Sequence, residues 1–199
     1  MQIRNLIPWR IRHFYNTWVE ENIRPKPKYH RLYKFLKFGR TNINTPKYWD
    51  SEWKGDTIQR NYEIMFSLIL ERIPEKAHVL DVGCGVGRLS KLIKKERNAT
   101  LTCLDFSNWA CEQLKQQGFN TIVSSLPKIP LPDNQFDIAV ATEVFEHLDA
   151  PEKTLYQMAR VIKPGGVLMC SVPNDTLHPN VELEHQEIYT TDKLRSMLT

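Results

Sequence analysis

The 199-residue sequence predicts an α/β protein, with a mainly parallel sheet flanked by helices. Three observations predict it. From residue 78 onward, short apolar runs alternate with segments of helical spacing, the pattern of βαβ units. Val79-Leu80-Asp81-Val82 is a compact run of the kind buried on both faces of a sheet. That run opens directly into a glycine-rich turn followed by a helix. No apolar stretch approaches the ~20 residues of a spanning helix.

Taken in order, Thr45-Pro46 starts a helix, the hydroxyl as cap and the ring with φ already set for a first turn. It carries Tyr48, Trp49 and Trp53 and stops at Gly55. A second start at Asp56/Thr57 leads through Ile58, Tyr62, Met65, Phe66 and Ile69, spaced by three or four, to an end near Pro74. The first strand follows from His78, then a helix over 89–97, a strand over 100–104 and a helix from Ser107 to just before Gly118. A strand over 121–123, another over 136–141, a helix over 151–162, a fifth strand over 166–172 and a last helix over 191–198 complete the series.

Charge divides the chain. Residues 1–47 hold 11 Lys/Arg and 2 Glu, a net +9, and the rest nets −5. The sequence therefore predicts a basic, aromatic helical arm over 1–44 and a mildly acidic body over 45–199. Pro25 and Pro27 make the PKPK stretch a stiff hinge. Arg4, Pro8, Arg10 and Arg12 break the N-terminal apolar residues, unlike a secretory signal. The four cysteines, Cys84, Cys103, Cys111 and Cys170, form no CxxC pair and read as reduced thiols of a cytoplasmic protein. His178, Glu184 and His185 lack a further ligand at fitting spacing, so no metal is expected.

The chemistry concentrates in VLDVGCGVGRLS, residues 79–90. Gly83, Gly85 and Gly87 alternate after Asp81, letting backbone turn sharply and approach a ligand where a Cβ would collide. The helix that follows is expected to aim free N–H groups at the ligand. A dinucleotide fingerprint would need glycine where Arg88 stands, which disfavours a nicotinamide dehydrogenase. Asp105 ends the second strand, where an acid can chelate both hydroxyls of a ribose, and Phe106 can lie on an adenine.

Four blocks, DVGCGVGRLS (81–90), LDFS (104–107), LPDNQFDIAVATEVFEHLDAPEKTL (131–155) and VIKPGGVLMCSVPN (161–174), resemble the class I S-adenosylmethionine-dependent methyltransferases, in particular the small-molecule branch with quinone-biosynthesis enzymes. The resemblance implies a Rossmann-like sheet with S-adenosyl-L-methionine as cofactor. Asp81 and the turn Gly83, Cys84, Gly85 and Gly87 would face its methionine part, Asp105 the ribose and Phe106 the adenine. Ser125 and Leu126 would read the base, Ser125 standing where the family often has an acid. Thr142 would lie near the methyl-bearing end. The 163–166 turn would only launch the fifth strand. The family sheet has seven strands and this chain offers five, so either it is a shortened product or a partner chain covers the open edge.

Methyl transfer to a nucleophile is an in-line displacement in which the protein aligns and desolvates. If the acceptor needs a base, the catalytic candidates are His147, Glu143 and Glu146. Each has a plainer role open to it: His147 as a loop-fixing residue, Glu146 as a solvent-facing one, Cys84 as a small packed residue. The acceptor is expected to be a small molecule or a lipid or glycan precursor. The alternative is a non-catalytic cofactor-binding scaffold or partner subunit. A base methylase is disfavoured because Ala-Thr-Glu-Val-Phe replaces the Asn/Asp-Pro-Pro-aromatic block. The arm has three readings: a lid on the cofactor cleft, peripheral contact with an anionic membrane, or a stacking surface for single-stranded nucleic acid.

Overall fold

A computed structural model describes Phe35 and residues 42–55, 61–173, 185–186 and 189–198. The expected arm lies outside the described residues, apart from Phe35 and 42–44, as do the 25–28 hinge, His178 and Glu184. The chain divides into two compact units, Asn44–Val172 and Met1–Ile43 with Pro173–Thr199.

Unit Asn44–Val172 is built on five strands, β1 (His78–Val82), β2 (Thr100–Asp105), β3 (Asn120–Val123), β4 (Phe136–Thr142) and β5 (Ile162–Ser171). Their order is β3-β2-β1-β4-β5, and every neighbouring pair is parallel. The helices are α1 (Pro46–Gly55), α2 (Glu63–Leu70), α3 (Arg88–Arg97), α4 (Asn108–Gln116) and α5 (Pro151–Val161). The predicted α/β sheet is therefore present.

Strand order reverses at β1: the chain steps out to β2 and β3, then returns on the other side as β4. Open α/β sheets take ligands outside the carboxyl ends of their strands at such a reversal. Here those ends carry Asp81, Asp105 and Thr142. Below them, Ile69 and Ile73 at the end of α2, Leu89 and Ile93 of α3 and Leu114 of α4 pack with Val79, Leu101, Cys103, Ile138 and Val140. Each such side chain contributes roughly 1.5–3 kcal/mol by leaving water. Leu155, Met158 and Val161 of α5 are buried as that helix packs on β4 and β5. Among the described residues β3 and β5 are the sheet edges, each paired on one side.

Local chemistry sets the boundaries. Thr45 Oγ1 accepts from the Tyr48 amide (3.2 Å), and Ser107 Oγ accepts from Ala110 N (3.1 Å), capping α1 and α4 as expected. Two boundaries move. The second helix starts at Glu63 because Asn61 Oδ1 takes the Glu63 amide at 2.9 Å, and Asn61 and Tyr62 are not helical; residues 56–60 lie outside the described set. The fifth strand begins at Ile162, four residues earlier than predicted. Phe136 pairs with Ile162 and Ile138 with Val167, so Lys163–Gly166 bulge from the ladder, with Gly165 at φ +80°.

In the other unit, helix α6 (Thr191–Met197) is capped by Thr190, whose Oγ1 accepts from Lys193 N at 3.2 Å. No helix among the described residues is long and apolar enough to cross a membrane.

Candidate functional site

Three loops meet at the carboxyl ends of β1, β2 and β4. The first is the glycine turn. Gly83 and Gly85 have φ of +71° and +51°, in the left-handed region, and each lies against a side chain. A Cβ on Gly83 would fall 2.5 Å from Val144 Cγ2, and one on Gly85 would fall 2.6 Å from Trp53 Cζ2. Gly87, the residue before α3, turns against Leu114. The turn's amides are largely spent inside the protein. Gly83 N and Cys84 N donate to Leu104 O (2.7 and 3.1 Å), Gly85 N to Asp105 Oδ2 (2.8 Å) and Gly87 N to Cys84 O (2.8 Å). β2 and the turn itself consume these four amides, whereas the expected free N–H groups belong to the helix that follows.

Asp105 closes β2 and is 5% exposed. Its Oδ2 accepts from Gly85 N and its Oδ1 from Ser107 N, both at 2.8 Å. The Phe106 amide acts on this carboxylate as well, and lone-pair capacity remains for a further donor. Burial raises the Asp105 pKa, while the Ser107 and Gly85 amides pull it down. Asp81, also buried, accepts from Ser90 Oγ of α3 at 2.5 Å. Burial pushes its pKa up to about 6, against the pull of Ser90 and with the Asp105 charge adding to the rise. Phe106 is half-buried beside Asp105, and Ser124 N donates to Asp105 O (2.9 Å), tying the loop with Ser125 and Leu126 to the same strand end. Ser125 is exposed and Leu126 half-buried.

The third loop follows β4. Thr142 pairs with Ser171, and Glu143 then takes φ +54°, unusual for a residue with a side chain. Ser171 pins it: Glu143 N donates to Ser171 O (3.1 Å) and Oγ (3.2 Å), and Ser171 Oγ donates to Glu143 Oε1 (2.9 Å). Phe145–His147 form a short 3-10 turn. Glu146 is fully buried, so its solvent-facing role is corrected: the turn carries it inward. Its Oε1 lies 3.7 Å from His147 Nε2.

Helix α1 crosses all three loops. Asp50 accepts from Ser107 Oγ and from Trp109 N (3.3 Å), next to the β2 end. The Trp49 ring meets the His147 ring edge-on at 5.0 Å, and Trp49 Nε1 donates to Asn44 Oδ1 (3.0 Å) while Asn44 Nδ2 donates to His147 O (3.3 Å). Trp53 lies on Gly85, with its centroid 5.5 Å from that of Trp49. Trp49 and Asp50 stand four and three residues before Trp53, so each neighbours it along the helix surface.

Residues 80–170 match the family described as "Methyltransferase domain". The fold agrees. A solved S-adenosylmethionine-dependent methyltransferase from Aquifex aeolicus superposes with TM-score 0.62 at 25% identity, covering 75% of this chain and 85% of that one. Over these residues the chain is similar to S-adenosylmethionine-dependent methyltransferases. Among curated relatives, an uncharacterized methyltransferase of Schizosaccharomyces pombe is 32% identical over 127 residues, 56% of this chain and 45% of that protein. A ubiquinone biosynthesis O-methyltransferase of Coxiella burnetii is 30% identical over 134 residues, 64% of this chain and 57% of that protein. The chain thus spans about half the length of the curated relatives it matches.

The site's residues suit an S-adenosylmethionine cofactor on two grounds. Asp105 has acceptor capacity for a hydroxyl, and Trp53 Nε1 is buried without a hydrogen-bond partner. Cys84 and Cys111 are poor nucleophiles. Contact with Cys103 and burial raise the Cys84 pKa well above the ordinary thiol value, and burial pushes Cys111 up to about 12. Sequence reasoning missed the site role of Asn44, Trp49, Asp50 and Trp53. Their signal was present: a tryptophan-rich, capped helix with its polar and aromatic residues on one face, just upstream of the first βα unit.

Proposed function

We propose that the chain transfers a methyl group from S-adenosyl-L-methionine to a small-molecule acceptor, or to a lipid or glycan precursor, by in-line displacement. The observation that carries this is the Gly85 N to Asp105 Oδ2 bond (2.8 Å), which joins glycine turn and β2 acid into one wall. When bound, the cofactor supplies a methyl already activated on a sulfonium. The chain's residues supply alignment. Asp105, held by two amides, receives the ribose hydroxyls; Phe106 flanks the adenine, with Ser125 and Leu126 at the base edge; Thr142 stands toward the methyl end.

Asp81, Gly83, Cys84, Gly85 and Gly87 shape the methionine side. For an acceptor hydroxyl, His147 takes the proton, its ring steadied by Trp49 and its backbone by Asn44. Glu146, buried beside it, is a positioning residue for the imidazole, and Glu143 is held at the loop tip by Ser171. The Coxiella relative, named for ubiquinone biosynthesis O-methylation, supports a hydroxyl-bearing small molecule. A partner strand on β5 belongs to the same proposal, since among the described residues that edge pairs only with β4.

The test is incubation of the purified chain with methyl-labelled cofactor and fractionated small-molecule extract. Transfer of label to an extract component is the expected result. Calorimetric binding of S-adenosylhomocysteine without any transfer would instead favour the scaffold alternative, and absence of binding would overturn both.

A further inference from the structure

Trp53 poses a specific chemical question. Indole is a donor only, and its Nε1 is buried here with no hydrogen-bond partner. A buried N–H left without an acceptor is costly, at about 1–3 kcal/mol. The Trp53 atoms nearest Gly85 are Cζ2, Cη2 and Cε2, the last of them bonded to Nε1. The ring is also held in place. Trp49 packs on it with centroids 5.5 Å apart, Trp49 is tied to Asn44 (3.0 Å), and Asp50, one turn back, is bonded to Ser107 and Trp109. The orphan donor is therefore preorganised.

The glycine turn needs such a donor. An anionic group arriving there finds the amides of Gly83, Cys84, Gly85 and Gly87 already committed to Leu104 O, Asp105 and Cys84 O. Asp81 and Asp105 on the adjoining strand ends oppose a second anion. For a ligand carboxylate beside the turn, α1 on the opposite wall provides a further donor in the Trp53 indole. Charge-assisted bonds of this kind are roughly twice as strong as neutral ones.

We propose that the indole N–H of Trp53 binds the amino-acid carboxylate of the cofactor, so that α1 reads its methionine end while Asp105 reads its ribose. This rests on the cofactor assignment under Proposed function. It adds a residue and a division of labour: one ligand moiety per wall.

Two nucleosides separate the walls. S-adenosylhomocysteine carries the carboxylate; 5′-methylthioadenosine shares the adenosine and lacks the amino acid. Calorimetric titration of the full chain and of Trp53→Phe, which keeps an aromatic ring and removes the N–H, reads both. The expected result is a loss of about tenfold or more for S-adenosylhomocysteine, with 5′-methylthioadenosine affinity changed less than about twofold.

Equal losses for the two ligands, or no loss for S-adenosylhomocysteine, would overturn the proposal. A wild-type chain that binds neither would overturn the cofactor assignment itself, and this proposal with it. If Trp53→Phe folds poorly, the wild-type indole proton, assigned among the five tryptophans by nitrogen-edited NMR, replaces it. A downfield shift of the Trp53 resonance with S-adenosylhomocysteine and none with 5′-methylthioadenosine is expected, and the same response to both would refute the carboxylate contact.

Discussion

Replacing Asp105 by alanine tests the cofactor wall most directly, because its carboxylate has two separable duties. Toward the ligand, it would accept two ribose hydroxyls. Hydrogen bonds to a charged group contribute roughly 1.5–3 kcal/mol each, a gross loss of about 3–6 kcal/mol. Water entering the vacated space returns part of that, leaving at least about 1.4 kcal/mol, or tenfold. Toward the fold, the same oxygens hold Gly85 N and Ser107 N at 2.8 Å each. Leaving both amides buried and unpaired costs about 1–3 kcal/mol apiece. Relief from burying a carboxylate whose pKa is raised offsets part of that.

The assays are calorimetric titration with S-adenosylhomocysteine and 5′-methylthioadenosine, paired with urea unfolding. Asp105→Ala should weaken both ligands by a similar factor of ten or more, since the ribose is common to them. Asp105→Asn, retaining one oxygen, should fall between Asp105→Ala and wild type. A folded Asp105→Ala chain that binds both nucleosides as tightly as wild type would remove Asp105 from the site.

Gly85→Ala should cost about 1–2 kcal/mol from the left-handed backbone alone, plus the collision with Trp53 Cζ2 at 2.6 Å. The collision part should vanish in a Trp53→Ala background; strictly additive costs in urea unfolding would argue against the contact. Asp81, with its pKa raised from 3.8 to about 6, stabilises the fold most below pH 4, and that contribution is lost as pH rises through 6. Being buried, it should make wild-type stability fall by about 3 kcal/mol relative to Asp81→Asn across that interval; a difference independent of pH would count against it. Asp50→Ala removes the acceptor for Ser107 and Trp109, so amide exchange over 46–55 should accelerate in mass spectrometry. Unchanged protection would show that α1 is held by its tryptophans alone.

Much of the fold was legible in the linear sequence because its signals are local. Thr45-Pro46 and Ser107 declare helix starts through the hydroxyls that cap them, and both caps form. The Val79–Val82 run and the glycines behind it mark a strand and a turn by composition alone, and the strand and the left-handed glycines are there. Where prediction slipped, a non-local or unrecognised partner decided. Asn61 moved the start of α2 by taking the Glu63 amide, and pairing with β4 drew Ile162 into a strand that composition would begin at Gly166.

The site divides in the same way. Sequence alone determined that a carboxylate and a side-chain-free turn stand at successive strand ends, since βα spacing places them there. Only the tertiary structure decided what those groups have left to offer. The turn's amides are consumed by Leu104, Asp105 and Cys84, Glu146 is drawn inward, and the Pro46–Gly55 helix, given no site role from sequence, lies across three loops from residues more than thirty positions away. Hydrogen-bonding capacity is a property of a folded neighbourhood: a donor counts toward a ligand only when no acceptor of the protein has already taken it.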